Sequence, residues 1–355
     1  MQNLSFYDLD DDMQALMLAG VLGNRGVVVD RLGGMCGDIF VLDQGEHVHP
    51  RYVCAKVPRK PKNASTEEVN KRFLVELELQ LRFYHHTFVH WCFDLKDVLG
   101  APVALFRYWD GDLRSCMSSQ SEIEKLSLIA YCCSGLMHCY GRGLVAHQDL
   151  KPANIFVRDY RKAVRDLPDL DIYLVALIAD FGLANAFMQT PAVFDGSRPY
   201  MAPEQWSQSP LSEKTDVFAL GVILHELLSG GYHPVGVRTA EVWPLAAPGD
   251  SKKWTRPERW QKWINRKCPL EAQVQLSPDV RGLIERTLST DPGSRPTMAD
   301  LRASILDLIK VRSTEAHHQL RFLIDYFDRG ASQAPLETEW PYVAKAWQRL
   351  QKRFG

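Results

Sequence analysis

The stretch AHQDLKPANIFV, residues 146–157, places three chemically different side chains close together in a loop. Asp149 offers a carboxylate that can accept a proton, and Lys151 offers a cation that can steady negative charge. Asn154 adds a carboxamide oxygen, a ligand type that hard metal ions accept. The loop therefore combines a base, a cation and a metal ligand within six residues.

A second carboxylate follows in IADFGLA, where an apolar strand delivers Asp180 to a turn opened by Gly182. Mg²⁺ bound to a nucleotide keeps waters and phosphate oxygens at most of its positions, so it needs few protein oxygens. We therefore expect Asn154 and Asp180, from separate loops, to share a magnesium ion.

These motifs resemble those of the eukaryotic-type protein kinases, and the resemblance covers about residues 26–310. HQDLKPAN resembles the catalytic loop, DFG is identical to the metal motif, and MAPE (Met201 to Glu204) matches the segment that closes the activation loop. TDVFALGVILHELLSG resembles the helix that anchors the large lobe, with Asp216 near its start. In DPGSRPT the resemblance implies that Arg295 pairs with Glu204. Each motif alone is weak, but five in the family's order make chance implausible.

The resemblance implies an α+β fold with two lobes, a small β-rich lobe followed by a larger helical one. It implies ATP-dependent phosphoryl transfer to serine or threonine hydroxyls of a protein substrate, with Mg²⁺ as cofactor. Asp149 would be the catalytic base, and Lys151 would steady the γ-phosphate. Asn154 and Asp180 would hold the metal. Lys151 and Pro152 after the catalytic Asp favour serine and threonine over tyrosine.

In the small lobe, YVCAKV resembles the third-strand motif, so Lys56 would hold the α and β phosphates. Its partner would be a helix Glu about twenty residues further on. Glu76 is preferred because it keeps the family's spacing to the next strand, and Glu78 is the competing choice.

The phosphate-covering loop is irregular in this sequence. If Ile39 is the valine-like residue after the loop, Gly37 and Gly34 occupy the third and second glycine positions of LGGMCGDIFVL. Leu32 then stands where the first glycine belongs, and Gly33 lies one place away. The resemblance implies that adenine binds backbone groups around Arg107 to Trp109, with Phe106 behind it and Asp112 near the ribose.

The catalytic loop departs from the family at Gln148, where most members have Arg, so it is of the non-RD type. That Arg normally receives an activation-loop phosphate, which Gln cannot bind as a cation. We expect activity without loop phosphorylation, unless Lys214 or Arg198 replaces the missing charge. Ser197 stands where a Thr usually positions the substrate hydroxyl and the catalytic Asp, and Thr190 is the other candidate modification site. His147 is expected to orient the loop rather than to titrate.

The periodicity supplies the elements that must position these groups. Strand-like residues run from Gly26 to about Pro58, a helix with a Ser-Thr-Glu-Glu start follows from Ser65, and the chain after WDGDL is mostly helical. The predicted division is an N-terminal extension (1–25), a β-rich lobe (26–108), a helical lobe (109–310) and a C-terminal helical extension (311–355). In the extension, the apolar spacing of ETEWPYVAKAWQRLQKRFG predicts a helix packed on the body of the protein, with a partner or membrane surface as the alternative.

From position 154 to position 180 there are 26 positions, more than the family norm, which indicates an inserted hairpin or loop. Its basic residues favour a solvated face, with docking of an acidic partner as the alternative. They are Arg158, Arg161, Lys162 and Arg165.

Composition excludes several other classes. Lys plus Arg total 42 against 43 Asp plus Glu, so no global positive charge exists to hold nucleic acid. The eight Cys are irregularly scattered, which suits reduced thiols and a cytoplasmic location. No apolar run is long enough for a membrane span.

Two alternative functions use the same fold. A pseudokinase, acting as a scaffold or binding module, would fit the irregular glycine loop and Gln148. A small-molecule kinase would fit the Trp-rich segment 231–275. The intact Lys56, Asp149, Asn154 and Asp180 argue against the first, and MAPE with Ser197 argues against the second.

Overall fold

The computed structural model describes residues 4–23, 26–33, 37–61, 63–117, 119–182, 184, 197–242, 257–271, 274–331 and 336–355. The chain divides into two compact units. The first unit comprises Met1–His85, Trp91–Tyr108 and Ser332–Gly355, and the second comprises His86–His90 and Trp109–Ala331. A five-stranded sheet dominates the first unit and helices dominate the second, which confirms the α+β class.

The longer helices are α1 (Asp11–Val21), α2 (Thr66–Arg82), α3 (Glu122–Tyr140), α4 (Glu213–Ser229), α5 (Pro257–Asn265), α6 (Pro278–Thr287), α7 (Met298–Arg312), α8 (Thr314–Gly330) and α9 (Pro341–Phe354). The strands are β1 (Val27–Gly33), β2 (Asp38–Asp43), β3 (Tyr52–Val57), β4 (Cys92–Val98), β5 (Ala101–Arg107), β6 (Gly111–Asp112), β7 (Ile155–Asp159), β8 (Leu174–Ile178), β9 (Tyr232–His233) and β10 (Val237–Arg238). Single helical turns lie at Pro203–Trp206, Thr239–Val242 and Leu336–Glu339.

The sheet of the first unit has the order β1-β2-β3-β5-β4, and every neighbouring pair is antiparallel. Successive side chains of a strand point to opposite faces, so β3 serves two cores. Val53, Ala55 and Val57 belong to one core, while Cys54 contacts the other. Lys56, two residues after Cys54, lies on that second face.

The N-terminal segment covers the first of these faces. Phe6 and Leu18 are buried in the core that contains Val53, and the Phe6 backbone N–H donates to the Leu99 carbonyl at 3.0 Å. Asp10 caps α1 by accepting a hydrogen bond from the Met13 N–H. The sequence predicts only an extension without a defined element at residues 1–25, and the structure places a packed helix there.

Helix α2 covers the other face. It begins with a capping box in which Ser65 and Glu68 satisfy each other's backbone N–H groups, as the Ser-Thr-Glu-Glu start predicts. Phe73, Leu74 and Leu77 are among its buried residues, at helical spacing. The C-terminal helix α9 packs against α2 and β4 in the same core, which confirms that its apolar face is buried on the protein.

Two helices that are buried on nearly every side form the centre of the second unit. Both α3 and α4 are apolar around most of their circumference, as expected of helices enclosed by other elements. Cys132, Cys133 and Cys139 are buried in α3, and Cys92 is buried in β4 of the first unit. None of the described cysteines forms a disulfide. Within the described ranges, no helix is both long and apolar enough to cross a membrane.

The excess residues after Asn154 form the connection between β7 and β8. The Tyr160 N–H donates to the Tyr173 carbonyl at 2.9 Å, which closes this hairpin. Arg161 forms ion pairs with Glu124 and Asp159, and Lys162 pairs with Asp110.

Two of the four basic side chains that the sequence groups together therefore pair with carboxylates of the same unit. The Arg158 guanidinium lies over the rings of Trp109 and Tyr160, at 5.5 and 4.6 Å from their centroids. Arg158, Arg161 and Lys162 thus each contact a side chain of the second unit.

Candidate active site

The loop that carries Asp149 is anchored by one buried carboxylate, Asp216 in α4. Asp216 accepts hydrogen bonds from the His147 N–H at 2.8 Å, the Gln148 N–H at 3.3 Å and the Tyr140 hydroxyl at 2.7 Å. Burial raises the pKa of Asp216, and the His147 ring and the donated hydrogen bonds oppose that shift. Gln148 has a φ of 71°, an unusual backbone angle for a residue with a side chain. The hydrogen bonds to Asp216 hold the backbone on this residue and on His147.

His147 links this loop to the strand end before Asp180. Its ring is fully buried, lies 4.9 Å from the Phe181 ring, and has Nε2 3.1 Å from the Ala179 carbonyl. The contacts are those of an orienting residue and agree with the expected structural role.

Lys151 and Asn154 both donate hydrogen bonds to the Asp149 carboxylate. Lys151 Nζ donates to Asp149 Oδ2 at 2.5 Å, and Asn154 Nδ2 donates to the same oxygen at 3.1 Å and to the Asp149 carbonyl at 2.9 Å. Asp149 is only 5 % exposed, and its other oxygen, Oδ1, is buried without a hydrogen-bond partner in the part of the chain that the structure describes. One carboxylate oxygen is thus fixed, and the other is left to accept a further donor.

Asn154 and Asp180 are brought together by the β7–β8 pairing. Ile155 pairs with Ile178, and the Ala179 N–H donates to the Asn154 carbonyl at 2.9 Å. The Asn154 amide nitrogen donates to Asp149, so its side-chain oxygen is the atom available to a cation.

Asp180 itself is exposed and adopts a φ of 60°. No cluster of three or more His, Cys, Asp or Glu that could hold a metal exists among the described residues. A carboxamide and a carboxylate oxygen on adjacent strand ends fit a metal ion that takes its remaining ligands from phosphates and water.

In the first unit, Lys56 Nζ forms an ion pair with Glu76. Both side chains are largely buried, with 15 % and 11 % of their surface exposed. Glu78, the competing choice, is half exposed and lies 3.6 Å from Arg82 on the outside of α2.

Of the glycine-loop residues, Gly34 lies outside the described residues. Gly37 is buried, and a Cβ at this position would lie 2.5 Å from the Val57 carbonyl oxygen. The close approach of two backbones therefore requires glycine here. Ile39 pairs with Lys56 across β2 and β3, so it neighbours the lysine directly.

The expected adenine and ribose residues belong to different units. Arg107 ends β5 of the first unit, where it pairs with Val53. Trp109 and Asp112 belong to the second unit. The Asp112 carboxylate accepts from the Arg114 N–H at 2.9 Å and pairs with its guanidinium.

The segment after Ser197 is fixed by polar contacts that the motifs only partly predict. Arg295 donates to both carboxylate oxygens of Glu204, at 2.7 and 2.8 Å, which confirms the predicted pair. Gln205 Nε2 donates to the Gln148 carbonyl at 2.9 Å and ties this segment to the loop that carries Asp149. Sequence reasoning missed Gln205, because nothing in its local pattern indicates a partner 57 residues away.

A second buried carboxylate lies behind this segment. Glu226, at the end of α4, accepts from the Tyr200 hydroxyl at 2.9 Å and from the Thr239 hydroxyl. Burial raises the pKa of Glu226 to about 7, and the two donated hydrogen bonds oppose the shift.

Only some of the residues expected to bear on loop phosphorylation lie among those that the structure describes. Thr190 lies outside the described residues. Ser197 is buried, and no hydrogen bond joins it to Asp149 among the residues that the structure describes. Lys214 Nζ donates to the Arg295 carbonyl at 2.7 Å, and the Arg198 guanidinium lies 5.5 Å from the centroid of the Trp206 ring.

Comparison with known proteins gives a consistent result. The family model described as "Protein kinase domain" matches residues 37–305. The chain is 28 % identical over 234 residues to the serine/threonine-protein kinase PknB of Mycolicibacterium smegmatis and of Mycobacterium tuberculosis, covering 63 % of this chain and 32 % of either relative. It is 25 % identical over 198 residues to mitogen-activated protein kinase kinase 1 of Arabidopsis thaliana, covering 54 % of this chain and 49 % of that relative. The chain thus spans about a third of the length of the mycobacterial relatives.

Proposed function

The chain belongs to the protein kinase domain family, and from this premise we propose that it transfers the γ-phosphate of ATP to serine or threonine hydroxyls of protein substrates. The names of the bacterial relatives and the Lys151-Pro152 pair after Asp149 support serine and threonine as acceptors.

The observation that carries the proposal is the state of the Asp149 carboxylate. Oδ2 is held by Lys151 and Asn154, whereas the buried Oδ1 has no hydrogen-bond partner among the described residues. A buried acceptor without a donor is costly unless a ligand supplies one. A substrate hydroxyl is such a donor, and Asp149 would orient it and accept its proton during transfer.

The remaining roles follow from charge and position. Lys151, 2.5 Å from Asp149, would place its ammonium where negative charge develops on the transferred group. Asn154 and Asp180 would hold Mg²⁺, which neutralises phosphate charge when bound. Lys56, fixed by Glu76, would bind the α and β phosphates of ATP.

The test is a transfer assay with γ-labelled Mg-ATP, the purified chain, and a mixture of Ser/Thr-containing proteins and small alcohols. Phosphate on serine or threonine, mapped by mass spectrometry, is the expected result. Phosphate on a small molecule would support the metabolite-kinase alternative instead. No transfer, together with ATP binding, would support a pseudokinase. Asp149→Asn is the inactive control, and the exposed Asp166→Asn is its matched active control.

A further inference from the structure

The C-terminal helix α9 is built into the same core as the helix that carries Glu76. Val343, Ala344 and Leu350 of α9 are 0–3 % exposed and share a core with Leu77 and Leu81 of α2. Both helices belong to the first unit. The apolar face of α9 is therefore part of the packing that fixes α2.

Polar and aromatic contacts fasten α9 at both ends. At its start, the Trp340 ring lies 4.9 Å from Trp91 and 5.9 Å from His85, and the Tyr342 hydroxyl donates to the Phe93 carbonyl at 3.0 Å. At its end, Arg353 forms an ion pair with Asp97 of β4. These contacts add to the apolar packing that holds α9 on α2 and β4.

This core lies on the same side of the sheet as Lys56. Ala104, which pairs with Lys56 across β3 and β5, and Phe106, which pairs with Cys54, both belong to it. Glu76 flanks the buried face of α2, one residue before the buried Leu77. A shift or tilt of α2 would therefore move the Glu76 carboxylate relative to Lys56, since the lysine is fixed in the sheet.

We propose that α9 is a positioning element for phosphoryl transfer: by packing on α2 it sets the place of Glu76 and thereby keeps Lys56 ready to bind ATP phosphates. Leu350, Val343 and Trp340 are the positioning residues. This inference rests on the proposed function, because it assigns α9 to the nucleotide side of the same reaction.

The experiment compares full-length variants at a temperature where circular dichroism shows each to be folded. We expect Leu350→Ala to lower kcat/KM for Mg-ATP by about tenfold, since a loosened α2 weakens the Lys56–Glu76 pair. Leu350→Met, which nearly conserves volume, should remain within about twofold of wild type. Arg349 is exposed on the outer face of α9, so Arg349→Ala is the matched control and should also remain within about twofold of wild type. If Leu350→Ala does not fold, Val343→Ala removes less volume and replaces it.

A double-mutant cycle separates positioning from general stability. If α9 acts through Glu76, Leu350→Ala should lower activity by less than about twofold further in a Glu76→Gln background. The same tenfold loss in both backgrounds would overturn the inference, and so would full activity of Leu350→Ala in the wild-type background.

A binding experiment separates failure of this inference from failure of the proposed function. If the wild-type chain transfers no phosphate, the same variants are compared by the dissociation constant of a fluorescent Mg-ATP analogue. Weaker binding by Leu350→Ala, and not by Arg349→Ala, would then support the role of α9. Equal dissociation constants would refute it.

Discussion

The Asp149 loop and the Lys56–Glu76 pair are held in place by different physical means. In the second unit, one buried carboxylate, Asp216, accepts three hydrogen bonds and fixes the loop of Asp149 through its backbone. In the first unit, the Lys56–Glu76 pair is placed by apolar packing of α2 between the sheet and α9.

The two regions should therefore fail in different ways. Removing a buried acceptor leaves donors unpaired, at a cost of about 1–3 kcal/mol for each group, so the loop should be lost as a whole. Truncating an apolar side chain lowers the free energy of unfolding by an amount that depends on how far its neighbours fill the cavity. The Lys56–Glu76 pair should therefore weaken gradually as the packing of α2 is reduced.

Asp149→Ala should lower the rate of phosphoryl transfer by about 10²–10⁴-fold, because it removes both the proposed base and the partner of Lys151. Initial rates at saturating Mg-ATP measure this loss, with the exposed Asp166→Asn as the control. A rate near that of wild type in a folded Asp149→Ala protein would contradict the role of this loop.

Asp216→Asn should lower the rate of phosphoryl transfer by about tenfold or more and the free energy of unfolding by about 1–3 kcal/mol. The reason is that the new amide N–H₂ would face groups that themselves donate hydrogen bonds to Asp216. Denaturant unfolding and steady-state kinetics measure the two effects. The affinity for ATP measured without Mg²⁺ should change little, because Lys56 lies in the other unit. Weakened ATP binding with an unchanged rate would show that the two regions are not held separately.

The dependence of stability on pH tests the buried carboxyl group of Glu226. Its pKa is raised to about 7 in the folded chain, so it holds its proton more tightly when folded. Its contribution to stability is therefore fully present below its ordinary value of 4.5 and is lost as the pH rises toward about 7.

Glu226→Gln cannot titrate, so it should match wild type near pH 4.5 and be more stable by about 1–3 kcal/mol at pH 8. Thermal unfolding across this range measures the difference. Burial lowers the pKa of His225 to about 4 and of His233 to about 3, but both remain in the variant and cancel in the comparison. If the unfolding temperatures of wild type and variant differ by the same amount at every pH, the raised pKa of Glu226 is wrong.

The smallest effect expected is that of phosphatase treatment. Gln148 offers no cation for a loop phosphate, and Lys214 is engaged by the Arg295 carbonyl. The treated enzyme should therefore keep more than about half its activity on a Ser/Thr substrate. A loss of more than about tenfold, or about 1.4 kcal/mol of transition-state stabilisation, would show that phosphorylation orders this segment by another route.

Local signals in the sequence predict much of the first unit. The Ser65 capping box predicts the start of α2, and the spacing of apolar residues predicts its buried face. The interval between Lys56 and Glu76 points to a pair that the structure does form. These features can be inferred because each depends on residues close together or on a spacing that a family motif specifies.

Contacts between distant residues cannot be inferred in this way. The amphipathic pattern of α9 shows which face is buried but not which surface receives it, so its packing on α2 does not follow from the sequence. In the hairpin connection, Arg161 and Lys162 are exposed, as the sequence predicts, but their ion-pair partners Glu124 and Asp110 cannot be inferred from it. A one-dimensional pattern contains no information on such partners until the fold brings them together.

The buried thiols give each unit its own reporter of opening. Burial raises the pKa of Cys92 in the first unit and of Cys133 in the second to about 12, so neither forms the nucleophilic thiolate while folded. A thiol-reactive reagent can modify them only when the surrounding structure opens. Peptide mapping after brief exposure to the reagent in mild denaturant would then reveal which unit loosens first, without any engineered probe.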